Sequence, residues 1–299
     1  MSTVEVSNVT KSFGQVRAVD GVSFDVREGE IFGLLGPNGA GKTTTIRLML
    51  DIFKPDSGTV SILDGPMTEA KKNRIGYMPE ERGLYQDLTL ENCLVYLATL
   101  KGLTPSDARR RVGVYLQRFD LAGQSRSKVK TLSKGMQQKA QLINTIIHQP
   151  ELVIVDEPFA ALDPVNTLMV KDLIRELRDQ GTAILMSTHQ MHHVEELCDR
   201  IMLINQGKAL LYGSVENIRR RFSGNIVVLR AAGELPAVAG IKSVVSRNHA
   251  VRLELAEGAK PRDILRSLVE RDVDVEQFEV ALPSLDEIFV RVVAKRGVS

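Results

Sequence analysis

The run Gly36-Pro37-Asn38-Gly39-Ala40-Gly41-Lys42-Thr43-Thr44 sets three glycines, a lysine and two hydroxyls within nine residues. It matches the P-loop pattern, follows the apolar segment 30–35 and leads into the helix-like segment 44–50. A strand running into a Gly-rich turn and then a helix gathers backbone N–H groups around one point, and phosphate is what such a cluster holds best. Gly36, Gly39 and Gly41 let the backbone approach closely and adopt positive φ. Pro37, Asn38, Ala40 and Thr44 complete the turn. Lys42 can reach the β- and γ-phosphates of a nucleotide, and the Thr43 hydroxyl can ligate Mg²⁺.

A phosphate loop needs an acid near its Mg²⁺ and a group that activates water. The run Leu152-Val153-Ile154-Val155-Asp156-Glu157 supplies both at the end of an apolar stretch. Asp156 fits the Mg²⁺-associated acid. Glu157, one residue further, is expected to face an attacking water, and Pro158 stiffens the exit. Two acids that merely cap a strand are the alternative. His189 ends the next apolar run, 184–189. In a parallel sheet the C-terminal strand ends share one edge, so a histidine there can reach a γ-phosphate. A polar strand end is the alternative. His189, His192 and His193 lie close together, but no carboxylate or cysteine completes a zinc pattern. Lys42, Glu157 and His189 are therefore the expected catalytic set.

These groups need a frame. Valines 4, 6 and 9 suggest a strand, and Val22, Phe24 and Val26 alternate as on a half-buried one. Strands are expected at 59–63 and 74–78. Residues 89–149 read as almost wholly helical, with Leu90, Cys93, Leu94 and Leu97, then Val112, Leu116 and Phe119, then Met136, Ala140, Ile143 and Ile147 as apolar faces. Buried strands at 152–155 and 183–186, helices at 166–180 and 193–198, and a hairpin around Asn205-Gln206-Gly207 follow. After about residue 221, beyond the turn signal Ser223-Gly224-Asn225, the pattern changes to strands at 226–230, 241–246 and 251–255 and a helix at 261–271. A further strand at 275–282 and a last helix at 284–295 complete a small α+β domain. The expected division is 1–220, with a helical insert at about 86–150, and 221–299. A length of 299 residues suits about two domains.

The net charge of +2 implies no strong pull towards nucleic acid. The short runs Arg109-Arg110-Arg111 and Arg219-Arg220-Arg221 read as solvated helix faces, with nucleic acid or anionic lipid as alternatives. Cys93 and Cys198 read as packing residues in a reducing compartment. The N-terminus lacks the pattern of a secretory signal, and no stretch of about 18 apolar residues could span a membrane.

Leu132-Ser133-Lys134-Gly135-Met136-Gln137-Gln138-Lys139 discriminates most. It opens a helix, so Ser133 and the amides near Gly135 form a second anion-binding terminus. Here the chain resembles the ATP-binding cassette (ABC) ATPases, whose signature is a Ser-x-Gly-x-Gln run. The resemblance covers about residues 3–215. It implies an α/β P-loop NTPase fold of the ABC ATPase type, with a RecA-like core, an antiparallel β subdomain and a helical subdomain, here followed by the small C-terminal α+β domain. It implies ATP and Mg²⁺ as ligands. It also implies a head-to-tail homodimer in which the P-loop of one copy and Ser133, Gly135 and Gln137 of the other clamp one nucleotide. Phe13 falls where the family places an aromatic that stacks on adenine; a core role is the alternative. Ala161-Leu162-Asp163-Pro164 resembles the loop that crosses the dimer interface, with Asp163 its usual acid and Ala161 where Gly is more common. Where the family has Gln after the strand before the insert, this chain has Glu80, expected to hold Mg²⁺ directly or through water. Glu81 is an alternative, and Arg82 is expected to offset the added charge.

The segment 78–85 and the ending Ser284-Leu285-Asp286-Glu287-Ile288-Phe289-Val290 are similar to exporter ATPases of the sodium-efflux and drug-resistance type. That implies a cytoplasmic motor held at the inner face of the membrane by a separate permease, docked at Leu84, Tyr85 and the first insert helix. A core role for those residues is the alternative. A soluble ABC ATPase acting on ribosomes or nucleic acid is the competing reading. Such proteins usually carry two cassettes or a long coiled-coil insertion, and neither is present.

Overall fold

The structure is a computed structural model that describes residues 2–81, 83–223, 226–232, 235–247, 250–256 and 258–296. Arg82, Gly224 and Asn225, on which parts of the sequence reading rest, lie outside the described residues. The chain divides into two compact units, Met1–Ser214 and Val215–Ser299.

The first unit runs β1 (Ser2–Phe13), β2 (Val16–Arg27), β3 (Ile31–Leu35), α1 (Lys42–Met49), β4 (Ser57–Ile62), α2 (Glu69–Lys72), β5 (Ile75–Met78), α3 (Leu90–Leu100), α4 (Pro105–Arg118), α5 (Lys134–Ile146), β6 (Leu152–Asp156), α6 (Pro164–Asp179), β7 (Ala183–Thr188), α7 (Met191–Leu197), β8 (Arg200–Asn205) and β9 (Lys208–Ser214). A six-stranded sheet has the order β5-β6-β7-β3-β8-β9, parallel except for β9. Every residue of β3, β6 and β7 is buried. Strands covered on both faces read as continuous apolar runs, as these do. The antiparallel sheet β2-β1-β4 packs its alternating valines into the same core, where Phe24 stacks on Phe32 at 5.3 Å.

The insert is less helical than its composition suggests. Between α4 and α5 the chain makes only two short 3₁₀ turns, Ala122–Gln124 and Val129–Thr131. Hydroxyl caps set its helix starts: Thr89, Thr104 and Ser133 accept from the backbone N–H groups of Asn92, Asp107 and Met136. Helix α5 lies unusually close to β5. A Cβ added at Gly76 would stand 2.2 Å from the Thr145 carbonyl oxygen.

The two sheets are tied by a polar knot. Arg200 donates both terminal nitrogens to Asp25, each at 2.9 Å, and one also to Glu30 at 3.2 Å, while the Tyr212 hydroxyl donates to Asp25. The Arg200 bonds, and then the Tyr212 bond, hold the Asp25 carboxyl well below the usual carboxylate range against an opposing push from burial. With the folded-state pKa lowered, the knot stabilises the fold above the unfolded carboxylate pKa of about 4 and is lost as pH falls below it. Urea midpoints of the intact chain should therefore drop between pH 7 and pH 3. An Asp25→Asn chain, weaker at pH 7, should lose less over that interval.

The second unit comprises α8 (Val215–Arg221), β10 (Ile226–Ala232), β11 (Ile241–Arg247), β12 (Ala250–Leu255), α9 (Pro261–Val269), β13 (Asp274–Val280) and α10 (Leu285–Arg296). Its antiparallel sheet has the order β11-β12-β10-β13, and Val227, Leu229, Leu253 and Leu255 pack with Ile264 and Leu268 of α9. Helix α8 belongs to this unit, with Arg219 donating to the Pro283 carbonyl at 3.0 Å.

Candidate functional site

The register of the parallel sheet sets Leu35 beside Thr188, Asp156 beside Ser187 and Met78 beside Val155. The loops after β3, β5, β6 and β7 therefore leave from one edge. They carry the P-loop, Glu80, the Asp156–Glu157 pair and His189. A cleft of about 530 Å³ opens there, lined by residues 37–44, Glu80, Asp156 and Glu157. Its opposite wall is Val16, Arg17 and Ala18, with Gln206 and Gly207 from the tip of the β8–β9 hairpin. Sequence reasoning missed both of these pieces. Their only trace was proximity: the former follows the Phe13-Gly14 turn, and the latter is a hairpin tip.

The P-loop conformation follows from its glycines. Gly41 has φ 108° and a Cβ there would meet the Ala18 carbonyl at 2.4 Å, so a larger residue would break both the turn and its wall. Lys42 is buried and donates to the carbonyls of Gly36 at 2.7 Å and Pro37 at 3.3 Å. Burial pushes its pKa down, and the carboxylates of Glu157, Asp156 and Glu80 push it back up.

Asp156 is 1% exposed, and both its oxygens are held: the Thr43 hydroxyl donates to one at 3.0 Å and the Ser187 hydroxyl to the other. Glu157 sits just past the strand with φ 51°, a left-handed backbone that a non-glycine residue adopts only when its surroundings enforce it. Its own N–H donates to the Ser187 carbonyl at 2.9 Å. The Thr188 hydroxyl donates to one carboxylate oxygen at 3.0 Å, and the His189 backbone N–H to the other at 3.0 Å, with His189 Nδ1 2.6 Å from that same oxygen. His189 thus holds Glu157, with its ring half-exposed. His193, by contrast, turns inward against Phe159, their ring centroids 4.2 Å apart, and no group of three or more His, Cys, Asp or Glu side chains able to hold a metal occurs among the described residues.

The other expected residues take different places. Ser133 and Asp163 are exposed at helix starts, Ser133 capping α5 and Asp163 accepting from the Asn166 N–H at 2.9 Å to cap α6. That bond lowers the Asp163 pKa. Gly135 packs beside the interface-type loop: a Cβ there would lie 3.2 Å from the Ala161 carbonyl, and Ala161 itself has φ 61° where a glycine would be unstrained. Among the described residues, Ser133, Gly135 and Asp163 do not line the P-loop cleft. Gln137 is 6% exposed, and its amide donates to the Val129 and Leu132 carbonyls at 3.1 and 3.0 Å. It braces the signature turn from inside the chain. Phe13 is 44% exposed, edge-on to Phe53 at 5.3 Å, so the core alternative does not hold, and it lies outside the cleft lining. Leu84 is buried, so of the two residues expected at a docking surface only Tyr85 is presented.

Residues 19–160 match the family described as ABC transporter, and residues 213–293 match the C-terminal domain of ATP-binding proteins like DrrA1-3. The chain is 39% identical over 288 residues to YhaQ, an uncharacterized ABC transporter ATP-binding protein of Bacillus subtilis, covering 95% of this chain and 96% of that one. It is 30% identical over 300 residues to the daunorubicin/doxorubicin resistance ATP-binding protein DrrA of Streptomyces peucetius, covering 96% and 91%. A solved ATP-binding subunit of an ABC transporter superposes with a TM-score of 0.69 at 32% identity, over 74% of this chain and 93% of the other. Likeness of this extent, on a sheet edge built for a nucleotide's phosphates, leaves one conclusion: the chain belongs to the ATP-binding proteins of ABC transporters, binds ATP and is an ATPase.

Proposed function

We propose that two copies of this chain form the motor of an ABC exporter, clamping two ATP molecules between them and driving a separately encoded membrane permease. One observation carries the reading. The P-loop cleft holds Lys42, Thr43, Asp156 and Glu157, whereas Ser133, Gly135 and Asp163, on exposed helix ends of the same chain, are absent from its lining. A second copy, turned head to tail, would supply them. Closure would then assemble the complete site, with Glu157 activating water and His189 orienting Glu157 and the γ-phosphate.

The donor set fits Mg²⁺. Three carboxylates, Glu80, Asp156 and Glu157, line the cleft against two cations, Arg17 and the buried Lys42. A triphosphate would enter a cleft of net negative charge only with a divalent cation to offset it. Thr43, Asp156 and Glu80 would hold that ion, which when bound neutralises charge on the β- and γ-phosphates.

Among the described residues no helix is long and apolar enough to cross a membrane, so placement at the membrane would come through the permease. Tyr85 and Tyr96 meet edge-on at 5.6 Å and are about half exposed, beside a groove of about 410 Å³ that includes Leu88. That patch is the proposed permease contact. The names of relatives that confer linearmycin and daunorubicin resistance support export. The ribosome or nucleic-acid reading fares worse. Arg110 pairs with Asp107, Arg111 donates to the Ile147 carbonyl, Arg219 donates to the Pro283 carbonyl and Arg220 pairs with Glu216, so four of the six arginines in the two runs have partners within the chain. Co-expression with a membrane protein of several spans, where one is encoded beside this chain, tests the proposal. The intact chain should co-purify with it in detergent, and a chain carrying Tyr85→Glu and Tyr96→Glu should not. Equal recovery of both would remove the patch, and recovery of neither would remove the permease.

A further inference from the structure

Helix α5 is buried almost all round, and its buried surface is mixed: beside Ala140, Leu142, Ile143 and Ile146, the polar Gln137, Gln138, Lys139, Gln141 and Thr145 are buried too. Three glutamine amides on it each bridge two backbone carbonyls. Gln137 serves the turn before Ser133. Gln138 donates to Glu157 and Pro158, both at 3.2 Å. Gln141 donates to Pro79 at 2.7 Å and Glu81 at 3.3 Å, the residues on either side of Glu80. The second and third pairs of carbonyls thus flank or include a carboxylate residue of the cleft.

The Gln141 orientation is fixed by chemistry. Its oxygen is buried and makes no hydrogen bond. Reversing the amide would aim that oxygen at two carbonyls and strand both of them, so the unpaired acceptor is the lesser penalty. The helix also packs tightly on the sheet: one turn on from Gln141, the Thr145 carbonyl is pressed against Gly76 of β5, the strand that leads to Glu80.

We propose that Gln141 is a positioning residue that sets Glu80 against the P-loop cleft, with Gln138 doing the same for Glu157, so that α5 is a rigid spacer between Ser133 and both carboxylates. Any shift of the Ser133 end is then passed to both loops through side-chain amides, with no slack segment between. The Glu80 arm rests on the reading of Glu80 as a Mg²⁺-side carboxylate.

The test uses the full chain with Gln141→Met, Gln138→Met and Glu80→Gln, and Gln141→Leu as a second variant should the methionine chain fail to fold. Two readouts are taken: ATPase rate against Mg²⁺ concentration, and backbone amide exchange without nucleotide. Losing the two bonds of Gln141 should raise the Mg²⁺ concentration for half-maximal rate about tenfold, with kcat at saturating Mg²⁺ within about twofold of the intact chain. Exchange in the peptide containing Pro79–Glu81 should quicken about tenfold while peptides of β5 and β6 keep their rates. Gln138→Met should instead lower kcat and leave the Mg²⁺ midpoint in place. Unchanged exchange at Pro79–Glu81 in a folded Gln141 variant overturns the proposal whatever the Mg²⁺ curve does. Quickened exchange with no Mg²⁺ shift in either the Gln141 or the Glu80 variant supports the positioning role and sinks the Mg²⁺ role of Glu80.

Discussion

A Glu157→Gln chain should hydrolyse ATP about 10²- to 10⁴-fold more slowly than the intact chain, the range expected for losing a general base. It should also elute as a dimer when ATP and Mg²⁺ are present. The substitution is nearly silent for the fold. A carboxamide oxygen still accepts from the His189 N–H, and the Thr188 hydroxyl, already an acceptor for the Gln190 N–H, can turn to accept from the new amide. What disappears is the negative charge that draws a proton from water. Gel filtration coupled to light scattering, with and without nucleotide, decides the matter. A monomer at saturating ATP and Mg²⁺ would count against the two-copy motor, and near-normal hydrolysis would remove Glu157 from the chemistry.

Mixing two inactive chains should restore activity. Lys42→Ala removes the ammonium under the phosphates. Ser133→Asp keeps a good helix cap, since Asp serves that position as well as Ser, but sets a negative charge where the partner's phosphate would arrive. Each homodimer has two defective sites. Half of the dimers in an equal mixture pair unlike chains and contain one site with both Lys42 and Ser133 intact, so hydrolysis should return to roughly a quarter of the intact rate. No recovery after mixing and exchange of subunits would mean that each chain works with its own Ser133, or that Ser133 has no part in the reaction.

Much of this site is written in short runs whose residue types have few other uses. The glycines and Lys42 of the P-loop, and the unbroken apolar strand ending at Asp156, declare their neighbourhood because buried parallel strands and phosphate turns admit so little variation. The catalytic edge was legible because parallel strands must end together. The inner face of α5 was not. Its apolar stripe, Met136, Ala140, Ile143 and Ile147, accounts for only one side, and glutamines read from sequence as solvent-facing. They are buried because the helix is wedged between the core strands and three loops, a property of the packing that no local window contains. The left-handed backbone of Glu157 was equally hidden, since nothing about a glutamate announces φ 51°. Residues 89–149 were expected to be almost wholly helical, yet the stretch around Gly123 between the second and third insert helices makes only two short 3₁₀ turns.

The contact between Gly76 and the Thr145 carbonyl bears on heredity as much as on architecture. Even alanine would force the sheet and its covering helix apart, so saturation mutagenesis under selection should find this codon nearly as intolerant as that of Lys42. A variant altered there would resemble a catalytic null, although the residue lies outside the lining of the nucleotide cleft.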